Sequence, residues 1–396
     1  MRLVGARRKS IIEKPIVGRE TPTDTEDRLM TPETQVRLAA LRERMVATET
    51  GLVAVAPGSH MQWLLGFTPA SDERACLLLV SPGGTAFLMP ALNADDVRQH
   101  TDIDFFRWSD EVGPHVALCQ ALSAIGASAT DRVALDETMR ADFALLVLDA
   151  LPSDVLRTFT ADTLGGLRMR KNEREYDLLK MNAAIADRAI EAAVAALKPG
   201  MTENELAAII RSHFLKEGAA PSFWIVGSGP NGAFPHHHAS DRHIVEGDAV
   251  VIDVGGVKSA FPSDITRVAV VGRPPEGFAD IHAVVERAVQ AALAAARPGA
   301  LARDVDAAAR TVIAEAGYGK HFTHRTGHGM GIDGHEPPYI TATSETVLEE
   351  GMVFSIEPGI YLPGRYGCRL EEIVILRKDG PEILSDLPRD ILVARG

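Results

Sequence analysis

Cysteine is scarce in this chain: three residues in 396, Cys76, Cys119 and Cys368. Their wide separation fits neither a zinc knuckle nor a disulfide framework, so a reducing cytoplasm is the expected home. Long apolar runs are absent too. No stretch of eighteen or more apolar residues occurs, which excludes a helical membrane span. Basic charge is in deficit, with a formal net charge of −13 and no basic domain to offset it, so nucleic acid is not an expected partner. The first thirty residues carry early arginines but no apolar core of a signal peptide, and their acids, from Glu13 and Glu20 on, argue against a transit peptide. They read as an irregular arm that packs on a neighbouring subunit.

What remains is the composition of a soluble globular protein, 46% hydrophobic and 24% charged, in a chain long enough for two cores. Thr31 and Pro32 mark the start of a helix over 32–50. Short apolar runs at 52–56, 75–80 and 85–89 read as strands, split by the turn Pro82-Gly83-Gly84. Strand-like and helical segments then alternate to about residue 160, an α/β pattern. A charged stretch, RMRKNEREYD at 168–177, leads into a long Ala-rich helix that ends before Lys198-Pro199-Gly200. The boundary is expected at Gly165-Gly166, which gives an arm over 1–30, an α/β domain over 31–165 and a second domain over 166–396.

The second domain repeats itself. AAVAALKPGMTENEL at 192–206 resembles AALAAARPGALARDV at 291–305, and EGDAVVIDVG at 246–255 resembles EGMVFSIEPG at 350–359. Two copies are too few for a solenoid and suit a pseudo-twofold domain. The second match lays Asp253 on Glu357. Each copy has a further acid downstream, Asp264 and Glu371. In GCRLEEIVIL, strand alternation puts Arg369 and Glu371 on one face and Glu372 on the other.

Buried carboxylates cost several kcal/mol each unless a positive partner faces them. Four acids with an imidazole from HFTHRTGHGMGIDGHEPP (321–338) suit two hard or borderline divalent cations. Such a pair would polarise a carbonyl and activate a bridging hydroxide. Blander readings exist for single residues. An Asp at a strand end is commonly a turn former, Glu371 could simply pair with Arg369, and His236-His237-His238 could be a solvated turn. Gly227-Ser228-Gly229-Pro230 reads as a plain turn rather than a phosphate loop. Four acids at matching repeat positions, with His328 between them, are harder to set aside.

These residues resemble the pita-bread metallopeptidases, family M24, in the branch of prolidase (Xaa-Pro dipeptidase) and aminopeptidase P. The resemblance covers 165–396 strongly, and HMQWLLGF at 60–67 is similar to a segment of that branch's N-terminal domain. It implies an α/β N-terminal domain followed by an α+β pita-bread (creatinase/aminopeptidase) domain with a pseudo-twofold internal repeat. The implied metal ligands are Asp253, Asp264, His328, Glu357 and Glu371, with Asp264 and Glu371 bridging two divalent ions. Mn²⁺ is the expected metal, and Co²⁺, Zn²⁺ or Fe²⁺ would also suit the donors.

The implied reaction is hydrolysis of Xaa-Pro dipeptides, with Glu357 as acid/base and the metal with His335 or His236 at the oxyanion. His324 and Arg369 would recognise the substrate carboxylate, or Arg369 would only orient Glu371. Register favours His236 among the three consecutive histidines as the substrate contact. Glu372 departs from the family's usual Asp after the bridging Glu; it is expected to point off the metal face. Alternatives are an aminopeptidase P acting on longer Xaa-Pro peptides, a related enzyme for a small non-peptide substrate, and a binding module, whose mark would be lost ligands. None is lost. The family implies a homodimer.

Overall fold

The computed structural model describes residues 30–394, so the expected N-terminal arm lies outside the described residues. Contacts divide the chain into two compact units that meet between Gly165 and Gly166. Among the described residues no helix is long and apolar enough to cross a membrane.

The first unit is built on a six-stranded sheet in the order Asp104–Trp108, Gly84–Pro90, Leu77–Ser81, Leu52–Val55, Arg132–Leu135, Leu156–Phe159. The two pairings made by Leu77–Ser81 are antiparallel and the other three parallel. Leu77–Ser81 and Gly84–Pro90 turn back through Pro82-Gly83, where the Ser81 hydroxyl accepts from the amides of Gly83 and Gly84 at 3.1 Å. The opening helix is Pro32–Ala47, capped by Thr31, whose hydroxyl accepts from the Thr34 amide. It stops short of the expected residue 50 because Glu49 adopts a left-handed φ of 51°, which an L-residue cannot propagate as a right-handed helix.

The second unit is made of two alike halves. The first has the helix pair Glu173–Ala196 and Glu203–Lys216, then the strands Ala220–Ser228, Ala249–Lys258 and Ile265–Val271. The second has the helix pair Phe278–Ala295 and Ala302–Glu315, then a sheet in the order Glu336–Ile340, Gly327–Gly329, Val353–Ile356, Glu372–Arg377, Gly380–Ile383. The repeat is visible in detail at the breaks between paired helices. Gly200 (φ 86°) and Gly299 (φ 89°) both need the left-handed region that glycine enters freely. Their amides bond to equivalent carbonyls, Ile244 and Leu348, each at 2.8 Å.

Strand alternation distributes the core. Val250, Ile252 and Val254 face the first helix pair, whereas Ala249 and Val251 join the core of the second pair. Asp253 has the parity of Ala249 and Val251. Pleating therefore turns it away from the first helix pair, partway along the strand, where it lines a cavity.

One expectation about local structure changes. GCRLEEIVIL is not a single strand: Tyr366–Arg369 pairs with Gly359–Leu362, and Glu372–Arg377 pairs with Val353–Ile356. The chain switches sheets at Leu370 and Glu371, because the Glu371 amide bonds to the Thr266 carbonyl of the first half at 3.2 Å. A residue of the second half is thereby tied into the sheet of the first.

Candidate metal centre

Register explains how the acids meet. Asp253 sits in the middle strand of the first sheet, directly opposite Thr266 on one side and Ile225 on the other. Cross-strand partners share a face, so Thr266 projects with Asp253, and Asp264, two residues earlier, projects with both. In the second sheet the pairing of Val353–Ile356 with Glu372–Arg377 ends at Ile356 opposite Glu372. One step further lie Glu357 and Glu371. The switch at Glu371 then carries that pair against the first sheet.

All nine residues singled out from the sequence line one cavity of about 860 Å³: His236, Asp253, Asp264, His324, His328, His335, Glu357, Arg369 and Glu371. Within it three clusters place potential ligand atoms within 4.8 Å of one another: Asp253, Asp264 and Glu371; His328, Glu357 and Glu371; and Asp264, His328 and His335. Asp264 and Glu371 each belong to two. His328 Nε2 lies 3.3 Å from a Glu357 oxygen and 3.6 Å from an Asp264 oxygen.

The electrostatics of this cluster are those of anions crowded without enough cations. Burial and then the charges of Asp253 and Glu357 hold the Asp264 carboxyl well above the usual carboxylate range. Burial and the Asp264 charge do the same to Glu371. Burial pushes Glu357 up to about 7 despite the opposing pull of Arg369. His328 moves the other way, down to about 3, chiefly through burial and then the neighbouring His335, whose ring centroid is 3.8 Å away. His328 is therefore neutral, and its Nδ1 donates to the Gly329 carbonyl at 3.1 Å. Its Nε2 lone pair thus faces two acid oxygens. Asp253 also keeps one buried oxygen, Oδ1, with no hydrogen-bond partner. A lone pair aimed at carboxylates and an orphaned buried acid oxygen are what a ligand set for divalent cations leaves when cations are subtracted. The donors fit.

Arg369 and His324 are used differently from the carboxylate recognition expected of them. The Arg369 guanidinium donates to Asp253 at 2.5 Å, to the Thr266 hydroxyl at 3.1 Å, to the Tyr361 hydroxyl at 2.7 Å and to the Pro235 carbonyl at 3.2 Å. The Thr266 hydroxyl in turn donates to Glu371 at 2.7 Å. Burial and then Arg369 lower His324 to about 4, so it is neutral. Its Nδ1 donates to the Arg325 carbonyl and its Nε2 accepts from the Tyr361 hydroxyl, both at 2.8 Å. Both side chains thus hold other residues in place, and no Arg369–Glu371 ion pair forms. Glu372 points off the cavity, as alternation requires, and pairs with the fully buried Arg267 at 2.8 Å.

Sequence reasoning missed Thr266, Tyr361 and Ser355. The Ser355 hydroxyl accepts from the His328 amide at 2.9 Å and donates to Glu357 at 3.1 Å. Thr266 and Ser355 each stand two residues from a singled-out acid within a strand, a same-face signal that was available. Nothing in the sequence marked Tyr361. A fourth cluster, His60, Asp136 and Glu137, lies in the first unit. There Thr160 donates to Glu137 and contacts His60 at 2.9 Å, so that group is internally bonded.

A buried set of four carboxylates and an imidazole on a doubled helix-pair-and-sheet unit defines the class of oxygen-rich metal-dependent hydrolases. Comparison places the chain more narrowly. The description "Metallopeptidase family M24" matches residues 177–378 and "Creatinase/Prolidase N-terminal domain" matches residues 37–169. The chain belongs to metallopeptidase family M24 and has the two-part, pita-bread architecture of its prolidase and aminopeptidase P members.

The probable dipeptidase PepE of Mycobacterium tuberculosis is 41% identical over 350 residues, covering 87% of this chain and 92% of that protein. The crystal structure of dipeptidase PepE from Mycobacterium ulcerans superposes with a TM-score of 0.87 at 37% identity, over 93% of this chain and all of that one. The recombinant prolidase from Thermococcus sibiricus gives a TM-score of 0.83 at 33% identity, over 92% of this chain and all of that one.

Proposed function

We propose that this protein is an Xaa-Pro dipeptidase whose centre holds two divalent metal ions, with manganese as the working metal. The observation that carries the reading is the set of three overlapping ligand clusters at one cavity, in which Asp264, His328 and Glu371 each belong to two. Asp253, Asp264, His328, Glu357 and Glu371 would hold these ions. Four carboxylates and one imidazole form a hard to borderline donor set, suited to Mn²⁺ and open to Co²⁺, Zn²⁺ or Fe²⁺. Bound there, the ions supply Lewis acidity toward the scissile carbonyl and a water of lowered pKa.

The chain's own groups do the rest. Glu357 accepts the proton lost by the attacking water and returns it to the proline nitrogen as the C–N bond breaks. His335 is lowered by burial and then by Arg325, so it is neutral. Its Nδ1 accepts from Arg325 at 3.3 Å, which leaves Nε2–H as a donor for the developing oxyanion, together with His236. Phe223, Trp224 and Pro235 give the cavity an apolar wall for the proline ring, and Arg325 is the cation left to meet the substrate carboxylate. Thr266, Ser355, Tyr361 and Arg369 fix the ligand side chains before substrate arrives.

The same reading carries a cytoplasmic homodimer, which light scattering on the purified protein checks. Protein stripped with chelator and reloaded with Mn²⁺ is expected to release proline from Ala-Pro and to leave Ala-Pro-Ala intact. Cleavage of the tripeptide would move the assignment to aminopeptidase P. Metal binding with no cleavage of either would end the peptidase reading and favour a small non-peptide substrate.

A further inference from the structure

The segment 229–240 crosses the mouth of the cavity and carries three consecutive histidines, His236, His237 and His238, all of which line it. Beneath it lies Glu203, fully buried at the start of the helix Glu203–Lys216. Its carboxylate collects six donors from one stretch of chain. Oε1 accepts from the Ser228 amide at 2.8 Å, the Ser228 hydroxyl at 2.7 Å and the Asn231 side-chain amide at 3.0 Å. Oε2 accepts from the His237 ring at 2.8 Å, the Ser240 amide at 3.1 Å and the Ser240 hydroxyl at 2.6 Å. Charge-assisted bonds of this kind are about twice as strong as neutral ones, and these tie Ser228, Asn231, His237 and Ser240 to one carboxylate.

Two features separate this arrangement from ordinary loop anchoring. First, the internal repeat lays Glu203 on Ala302, and the second half anchors its own strand from Asp306, one turn further along the helix, which accepts from the amide and hydroxyl of Thr326 at 3.1 and 2.8 Å and shares its charge with Arg310. Glu203 has no such arginine partner among the described residues; its donors come from residues 228–240, the stretch that borders the cavity. Second, His237 is the one of the three whose ring nitrogen is spent on a buried acid, and the backbone on either side is pinned. Pro235 is held by Arg369 from the metal side and Ser240 by Glu203 from below. His236 sits between these pins, one residue from each of Pro235 and His237.

We infer that Glu203 is a positioning residue for substrate binding: through His237 and the segment 228–240 it sets His236 at the cavity mouth, and His237 is a latch rather than a substrate contact. This rests on the Xaa-Pro dipeptidase reading for its kinetic consequence, though not for the latch itself. Glutamine in place of Glu203 keeps the shape but offers one strong acceptor atom instead of two, and sets an amide N–H against the donors of Ser240 or Ser228. His236 then loses its fixed position.

The test uses full-length, Mn²⁺-loaded protein. Glu203→Gln is expected to retain the metal content of the parent and to lower kcat/KM for Ala-Pro about tenfold, mostly through KM, the scale of one charged hydrogen bond. His236→Ala is expected to cost much less in the Glu203→Gln background than in the parent. In histidine-ring NMR, the His237 Nε2–H resonance, protected from solvent in the parent, is expected to vanish in Glu203→Ala, which leaves no acceptor for it. The inference is overturned if that resonance persists, if KM is unchanged, or if His236→Ala costs the same factor in both backgrounds. Should Glu203→Gln not fold, His237→Phe removes the ring donor and carries the same kinetic arms with a smaller effect. Should the parent cleave no Xaa-Pro peptide, the NMR arm still decides the latch, so that failure is told apart from this one.

Discussion

Metal binding to this centre should expel protons, and the structure says how many. Without cations, Asp264, Glu357 and Glu371 are all held above the ordinary carboxylate range by burial and by one another. A carboxyl that titrates at about 7 is about 90% protonated at pH 6. Asp264 and Glu371, both raised well above their ordinary values, each contribute up to one more. The imidazoles contribute none, since His328 and His324 are lowered to about 3 and about 4 and are already neutral at pH 6. Loading the centre at pH 6 should therefore release between about one and three protons per chain. The sign follows directly: these groups are protonated in the free protein and must be ionised in the complex, so affinity rises with pH. Each proton released makes binding about tenfold tighter per pH unit, or about 1.4 kcal/mol. The Glu357 share fades as pH passes about 7. Isothermal titration of stripped protein with Mn²⁺, in two non-chelating buffers of different ionisation enthalpy, counts the protons. Release of less than one proton at pH 6 would refute the reasoning, because the acids would then already be ionised and would be compensated by something other than metal.

Two further perturbations follow from packing and pairing. A Cβ at Gly367 would stand 1.9 Å from the Gly232 carbonyl oxygen, backbone against backbone. Gly367→Ala should displace the segment under the cavity mouth and cut kcat/KM for Ala-Pro at least about tenfold with metal content retained, a cost of the size expected for overpacking; parent-like kinetics would show that the contact has slack. Arg267 is fully buried, donates to Glu372 and to the carbonyls of Glu371 and Leu387, and lies among the largest wholly enclosed side chains. Arg267→Ala should lower unfolding stability in urea by about 3–5 kcal/mol, since it strips a buried acid of its nearest cation. A loss under about 1 kcal/mol would mean that Arg389, 3.0 Å from Glu372, compensates alone.

The acids and His328 were legible because a metal centre needs particular elements at particular spacings, and the internal repeat lays Asp253 on Glu357 in plain sequence. The helix breaks at Pro199-Gly200 and Pro298-Gly299 were legible for a similar reason: glycine there is demanded by backbone sign. What hid was everything decided by which strand meets which. The split of 367–376 into two strands depends on the Glu371 amide finding Thr266, more than a hundred residues away in sequence. The inward turn of Arg369 toward Asp253 is equally non-local, as is the place of Tyr361 between His324 and Arg369. Glu203 carries no signal in the sequence, because its six donors come from residues 25 to 37 positions later.

The most direct test of the account is proline release from Ala-Pro as Mn²⁺ is titrated into fully stripped protein, with bound metal counted on the same samples. The account predicts activity that climbs to a plateau at two equivalents per chain and is abolished when Glu371→Gln removes the shared ligand. Full activity at one equivalent, or activity that survives stripping, would contradict it.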